Sequence, residues 1–264
     1  AYQFQTRTTE LWKQQFDSGK CDAIQSRFWG QREPEELYDL TSDPHEARNL
    51  AADPAHAGRL GLMRTRLAHH LTSTRDVGLM PEGLLDGLRG GLPPLQWAGN
   101  PGQWPVEKIH GWAELAAGRS AAEQKQVGAL LEESHPVARY WGTQGMLAKP
   151  GLDWSAWHPT LVRLLEDPQP SIRVAAAHAL AITAGKDHPL RSKSAGLLRD
   201  HVNGPKLGFA VSLEALDALD HLGPDDRGDL SALRASLGPA TGFPARVREN
   251  PSRLLDHMEG NAKP

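Results

Sequence analysis

Two stretches of this chain align with one another at an offset of 34 residues. LLEESHPVARYWGTQGML, residues 130–147, lies over LLEDPQPSIRVAAAHALA, residues 164–181. The leucine pair, the acidic pair, Pro136 with Pro170 and Arg139 with Arg173 all fall in register. A third copy, LLRDHVNGPKLGFAVSLEALDAL, starts at Leu197, and two or three extra residues bring Ala215-Leu216 under Ala179-Leu180. Each unit reads as a helix ending in Leu-Leu, a tight polar turn, and a second helix rich in alanine. Such a pair cannot bury its apolar face alone, so a period in the thirties to forties predicts stacking into a helical solenoid. Ala175, Ala176, Ala177 and Ala179 let neighbouring helices approach closely. VEKIHGWAELAAG (106–118) reads as a half-repeat before the first full copy, and DDRGDLSALRASLG (225–238) as another after the last.

One spacing recurs with the repeat. Glu133–Arg139, Asp167–Arg173 and Asp200–Lys206 each put an acid six residues before a base. The acid falls in the turn, where it can cap the second helix. The base falls in or just after that helix's first turn, where it can pair with the acid of its own or an adjacent repeat. The pattern resembles the Asp/Arg ladder of HEAT-type repeats, set against the plainer reading of solvated surface charges.

Alanine and leucine dominate the 39% of residues that are apolar, and long β-branched runs are missing, which leans towards helix. A length of 264 residues suggests one large or two ordinary domains. No run of about 18 apolar residues occurs, so no membrane span is expected. The net charge of −3, with both signs interspersed, carries no nucleic-acid footprint. No signal peptide is visible, but the chain starts at Ala1 rather than Met and reads as processed or as a piece of something longer. Cys21 stands alone, which excludes an internal disulfide.

Ahead of the repeats the pattern changes. TELWKQQFDSG places Leu11, Trp12 and Phe16 about one turn apart, with Gly19 as a helix stop, and CDAIQSRFW reads as a second short helix. EELYDL (35–40) is a strand candidate with Leu37 and Leu40 inward, although one turn of helix also fits. TSDPHE predicts a helix start, with Asp43 as N-cap, Pro44 at the first helical position and Glu46 three beyond the cap. Asp53-Pro54 repeats the device ahead of an amphipathic helix carrying Leu60, Met63, Leu67 and Leu71. Residues 81–105 hold eleven Gly or Pro, which predicts an irregular linker containing the domain boundary, pinned to a neighbouring surface by Trp97 and Trp104. From Pro239 the chain reads as loosely ordered, apart from a short helix at SRLLDHME.

Candidate ligands are numerous but badly spaced. Asp39, Asp43, His45, Asp53 and His56 are hard-ligand types, yet neither a calcium loop nor a zinc pair fits their intervals. Capping is the better reading. His69-His70 point in different directions on a helix, and the remaining histidines fall one per element. No Gly-x-Ser-x-Gly elbow, P-loop or Gly-x-Gly-x-x-Gly is present. Lys20 beside Cys21 is a weak activator, and a packed thiol is the better reading. Tyr140-Trp141, Trp154 and Trp157-His158 could line a groove, with inter-repeat core as the commoner role. No catalytic, cofactor-binding or metal-binding residue is assigned.

The run PEELYDLTSDPHEARNLAADPAHAGRLGLMRTRLAHHLTSTRDVGLMPEG, residues 34–83, resembles the C-terminal end of bacterial sulfatases of the arylsulfatase and N-sulfoglucosamine sulfohydrolase type. Glu36, Leu37, Tyr38, Asp39, Leu40, Asp43, Pro44, Glu46, Asn49, Leu50, Ala51, Asp53 and Pro54 stand in that pattern. The preceding YQFQTRTTELWKQQFDSGKCDAIQSRFW is similar to the segment before this strand in one branch, where a helical-repeat extension can follow. The resemblance implies an α/β catalytic core with a formylglycine made from a C/S-x-P-x-R motif and a calcium ion, attacking sulfur through the hydrated aldehyde. Cys21 lacks the Pro and Arg of that motif, as does Ser134-His135-Pro136-Val137-Ala138. Calcium and formylglycine are therefore expected only in a catalytic domain outside these residues.

The expected architecture is mainly α: a sulfatase-like α+β remnant over 1–80, a linker over 81–105, a HEAT-like α-α superhelix over 106–238 and a tail over 239–264. The expected role is the non-catalytic C-terminal portion of a sulfatase. Its partner would be the catalytic domain, with a sulfated carbohydrate or aryl sulfate near the interface, and no nucleic acid. Periplasmic or secreted location follows by family analogy. The competing readings are a free-standing HEAT-like scaffold and an unrecognised hydrolase using scattered His, Ser and Asp.

Overall fold

The computed structural model describes residues 6–30, 32–118, 121–238 and 249–260. The fold is mainly helical, and the described residues contain no strand. The chain divides after Thr74 into two compact units, earlier than the boundary expected within 81–105.

In the first unit α1 (Arg7–Asp17) is capped by Thr6 and stops where Gly19 takes a φ of +69°. The short α2 (Ala23–Ser26) starts with a capping box between Asp22 and Gln25. Trp12, Phe28 and Trp29 pack ring against ring between them, and Trp12 Nε1 donates to Gln25 O at 3.0 Å. Asp53 accepts from Ala55 N and Pro54 opens a 3₁₀ turn that leads into α3 (Ala57–Thr74), as the Asp-Pro pattern predicts. Leu37, Leu50 and Leu60 form the small core of this unit.

The second unit begins with two helices that the sequence did not announce. Residues 81–105 contain α4 (Glu82–Leu88) and α5 (Pro94–Ala98) in place of the irregular connection expected there. Prolines start these helices rather than break them, because the first helical position needs no N–H donor. Leu84 is fully buried, and Trp97 and Trp104 stack 5.6 Å apart in one core cluster, so the expected anchoring by these tryptophans holds. Gly83 lets α4 come close: a Cβ there would lie 2.6 Å from Ser171 Oγ and 2.7 Å from a Glu214 oxygen.

The half-repeat is α6 (Val106–Ala117). The first full pair is α7 (Gln124–Ala129), extended by a 3₁₀ turn through Glu132, and α8 (Pro136–Leu147). The second is α9 (His158–Leu164) with α10 (Pro170–Ala184). The third is α11 (Pro189–His201) with α13 (Phe209–Leu222). The extra residues of the third copy form the short α12 (Gly204–Leu207). Successive second helices pack on one another in the order α6, α8, α10, α13. Ala176, Ala177, Ala179, Leu180 and Ala181 are fully buried on α10, which also packs on α9 and α11. Beyond α14 (Pro224–Arg227) and α15 (Leu230–Ser236), SRLLDHME forms α16 (Asn250–Met258), whose Leu254, Leu255 and Met258 complete the main core. That part of the tail is docked; residues 239–248 lie outside the described residues. No helix among the described residues is long and apolar enough to cross a membrane.

Candidate docking edge and the polar seams of the repeats

EELYDL is extended but is not a strand, because among the described residues no second strand lies beside it. A side chain stands in for the missing partner. Leu37 N donates to Asn49 Oδ1 at 2.9 Å, Asn49 Nδ2 donates to Glu35 O at 3.1 Å, and Leu50 N donates to Leu37 O at 2.7 Å. These bonds use the main-chain groups of Glu35 and Leu37. In an extended segment the groups of the alternate residues point to the opposite edge. The backbone N–H and C=O of Glu36 and Tyr38 have no partner among the described residues. The result is an open edge, flanked by Leu40 at 60% exposure rather than inward as expected.

The Asp43-Pro44 step does not start a helix. The Asp43 carboxylate accepts from Ala47 N at 3.0 Å and Arg48 N at 2.8 Å, closing a loop in which Glu46 takes a φ of +53°. Those two backbone bonds hold the Asp43 carboxyl below its ordinary range. Ser42 and the Thr41 backbone do the same for Asp39. Arg27 fastens the loop by donating to Ala47 O and, at 3.1 Å, to the Tyr38 hydroxyl. The carboxylates that looked like metal ligands thus serve as turn acceptors. Among the described residues no three His, Cys, Asp or Glu side chains gather as a metal-holding group.

Beside the edge, α3 carries more apolar surface than its own unit covers. Leu60, Met63 and Leu67 share one face. Leu60 meets Leu37 and Leu50, whereas Met63 is 49% and Leu67 55% exposed. The Arg64 guanidinium, one residue from this stripe, grips both oxygens of Glu35 and so fixes α3 against the extended segment.

In the second unit the ladder forms between adjacent repeats at its first step as expected, and its third acid position is displaced by one residue. Arg139 Nε donates to Asp167 Oδ2 of the next repeat at 2.8 Å, with the Asp167 side chain 3% exposed. Arg139 Nη1 also reaches Glu133 O and Ser134 O in its own turn. Arg173 repeats the arrangement with Asp167 O, but its forward partner is His201 Nε2 at 2.9 Å. The steps 133, 167 and 201 keep the 34-residue period, so His201 takes the acid's place. Asp200 and Lys206 form no ion pair among the described residues. At the start of α8 capping falls to His135 Nδ1, which accepts from Val137 N, rather than to Glu133, whereas ahead of α10 the expected acid serves, with Asp167 Oδ1 accepting from Gln169 N.

Three histidines here work as neutral acceptors or sharers of a proton. His135 Nδ1 caps α8, His201 Nε2 accepts from Arg173, and His178 Nε2 lies 2.8 Å from His221 Nδ1. Burial lowers all three pKa values, that of His178 to about 4, with the charge of His221 adding to the effect. A histidine with a depressed folded pKa adds stability above its unfolded value of about 6.5, and that stability is lost as pH falls towards the folded value. Glu214 acts in the opposite sense. Burial pushes its carboxyl up to about 7, against the Gly83 N–H and the Ser171 hydroxyl. Its contribution is present below an ordinary carboxyl pKa of about 4.3 and is lost as pH rises through about 7. The two effects oppose each other between pH 4.5 and 6.5, so each masks part of the other's pH dependence there. Removing the carboxylate with Glu214→Gln should expose a loss of about 2 kcal/mol on going from pH 7 to 4.5. Urea unfolding at the two pH values reads this directly; an unchanged pH dependence in the variant contradicts it.

Of the aromatic residues that could line a groove, Trp154 is buried with Nε1 bonded to Lys149 O at 3.0 Å, and Trp141 donates to Leu79 O at 2.9 Å. Tyr140 packs on Trp141, and burial with the nearby Glu214 charge raises its hydroxyl pKa to about 12. These serve the core. Trp157 is half-buried and lines a cleft. Cys21 is half-buried in the first unit.

The chain is 44% identical over 52 residues to N-sulphoglucosamine sulphohydrolase of Homo sapiens, a match covering 19% of this chain and 10% of that protein. This marks a sulfatase-related segment and spans a tenth of the relative's length. No family model matches the chain, and no solved structure matches it.

Proposed function

We propose that residues 6–74 are the C-terminal, non-catalytic docking unit of a sulfatase, and that residues 75–260 form a HEAT-like superhelix supporting its catalytic domain, substrate access or assembly. The observation that carries this reading is the open edge at Glu36 and Tyr38 within EELYDL. An extended segment whose inner edge is satisfied and whose outer edge is bare accepts one further strand by main-chain pairing. Met63 and Leu67 beside it offer the apolar contact that such an addition needs. The sulfohydrolase match supports the identity of the partner, and we infer that the matched 52 residues are the stretch that resembles sulfatase ends.

The chemistry belongs to that partner. Cys21 is followed by Asp22, Ala23, Ile24 and Gln25, so a formylglycine motif does not fit, and the acids of the sulfatase-like run are occupied as turn acceptors. The purified chain should not hydrolyse an aryl sulfate or an N-sulfated glucosamine above the uncatalysed rate. Turnover that co-purifies with the folded chain through successive columns removes this reading. The free-standing scaffold remains the second reading, favoured by the continuous core of residues 127–258. It expects a cooperative monomer that gains nothing from a sulfatase catalytic domain.

A further inference from the structure

A cleft of about 470 Å³ opens between the first helices of two successive repeats, lined by Gln124, Lys125, Glu132, Asp153, Trp157 and Thr160. Its size suits a small-molecule ligand. The Trp157 indole is seated against bare backbone: a Cβ on Gly128 would lie 2.1 Å from Trp157 Cε2. That seat fixes the ring, and neither its Nε1 nor Lys125 Nζ has a hydrogen-bond partner among the described residues. Glu132 is held by Arg163 at 3.4 Å, and Asp153 accepts from Ser155 N, each with lone pairs to spare. Gln124 donates to Asp153 O, bringing the two walls together.

We propose that this cleft binds an unsulfated pyranose sugar. The indole face, negative at its centre, suits the C–H face of a sugar ring. The hydroxyls around the ring both donate and accept, as a rim of two carboxylates, an ammonium and an indole N–H requires. Asp153, which pairs with no base among the described residues, also selects: an anionic sulfate ester brought beside it meets like charge, whereas the charge of Glu132 is already offset by Arg163. The inference stands independently of the docking role.

The test is saturation-transfer NMR on the whole chain with methyl β-D-glucopyranoside, and with its 6-sulfate, each at about 5 mM, a concentration suited to weak binding. The expected result is transfer to the ring C–H protons of the glucoside, at least about fivefold weaker for the sulfate. Trp157→Ala should remove the signal. Glu132→Gln and Asp153→Asn, on exposed side chains, should weaken it and keep the test decisive if Trp157→Ala does not fold. No transfer to the native chain overturns the proposal, as do equal transfer to the sulfate and a signal unchanged by both carboxylate variants.

Discussion

Asp167→Ala should lower the stability of the repeat unit by about 3 kcal/mol, the largest single-residue loss expected outside the apolar core. Asp167 joins three elements. Its Oδ2 accepts from Arg139 Nε of the previous repeat, its Oδ1 from Gln169 N in its own turn, and its main-chain oxygen from Arg173. Truncation leaves the Arg139 side chain, 14% exposed, with its charge uncompensated in a poorly solvated seam. Breaking one member of a buried pair costs more than the pair is worth, because the remaining charge stays desolvated. Arg139→Met should therefore cost less than Asp167→Ala, and the double variant less than the sum of the two. A coupling of at least about 1 kcal/mol in a double-mutant cycle by urea unfolding is expected. Additive losses contradict the ladder and return these residues to ordinary surface charges.

The second large effect concerns association. Replacing Met63 and Leu67 together with glutamate should weaken binding to a sulfatase catalytic domain by at least about 100-fold while leaving the fold intact. Both side chains are half exposed in the isolated unit, and Leu60, which holds α3 to Leu37 and Leu50, is untouched. Two charges buried without partners at an interface centre are costly, whereas on a solvated helix face they are neutral to stability. Calorimetric titration of native and doubly substituted chains reads the difference. Equal affinities remove α3 from the interface.

The helical pairs were legible because the repeat states its own period and because Pro136, Pro170 and Pro189 mark the first helical positions. The ladder's third step was misread because LLRD, residues 197–200, matches LLED, residues 164–167, at an offset of 33, one short of the period that relates the first two copies. Held to the 34-residue period, the place falls on His201, whose neutral ring accepts as a carboxylate would. The helices within 81–105 were hidden by composition. Gly and Pro density reads as breakage, yet Pro81, Pro93 and Pro94 sit where helices begin, and tertiary burial of Leu84 and Trp97 decides the outcome.

The two Asp-Pro steps show what local pattern cannot carry. Asp53 is followed by an amphipathic helix of 18 residues and caps its entry. Asp43 has only five residues before Asn49 must turn back to meet Glu35 and Leu37. Its carboxylate therefore closes a loop, although the acid, the proline and the following glutamate match a helix start. Likewise EELYDL has the residues of a strand, but a strand is a relation between two segments, and among the described residues only one is present. That gap is what gives the segment its proposed role.

The most direct test is hydrogen exchange at the Glu36 and Tyr38 amides during titration with a sulfatase catalytic domain that lacks its own EELYDL-like segment. Fast exchange at both is expected in the free chain, with a complex of Kd about 1 µM or tighter and protection of both amides on binding. No complex at about 50 µM, or a complex in which these amides still exchange freely, contradicts the docking role.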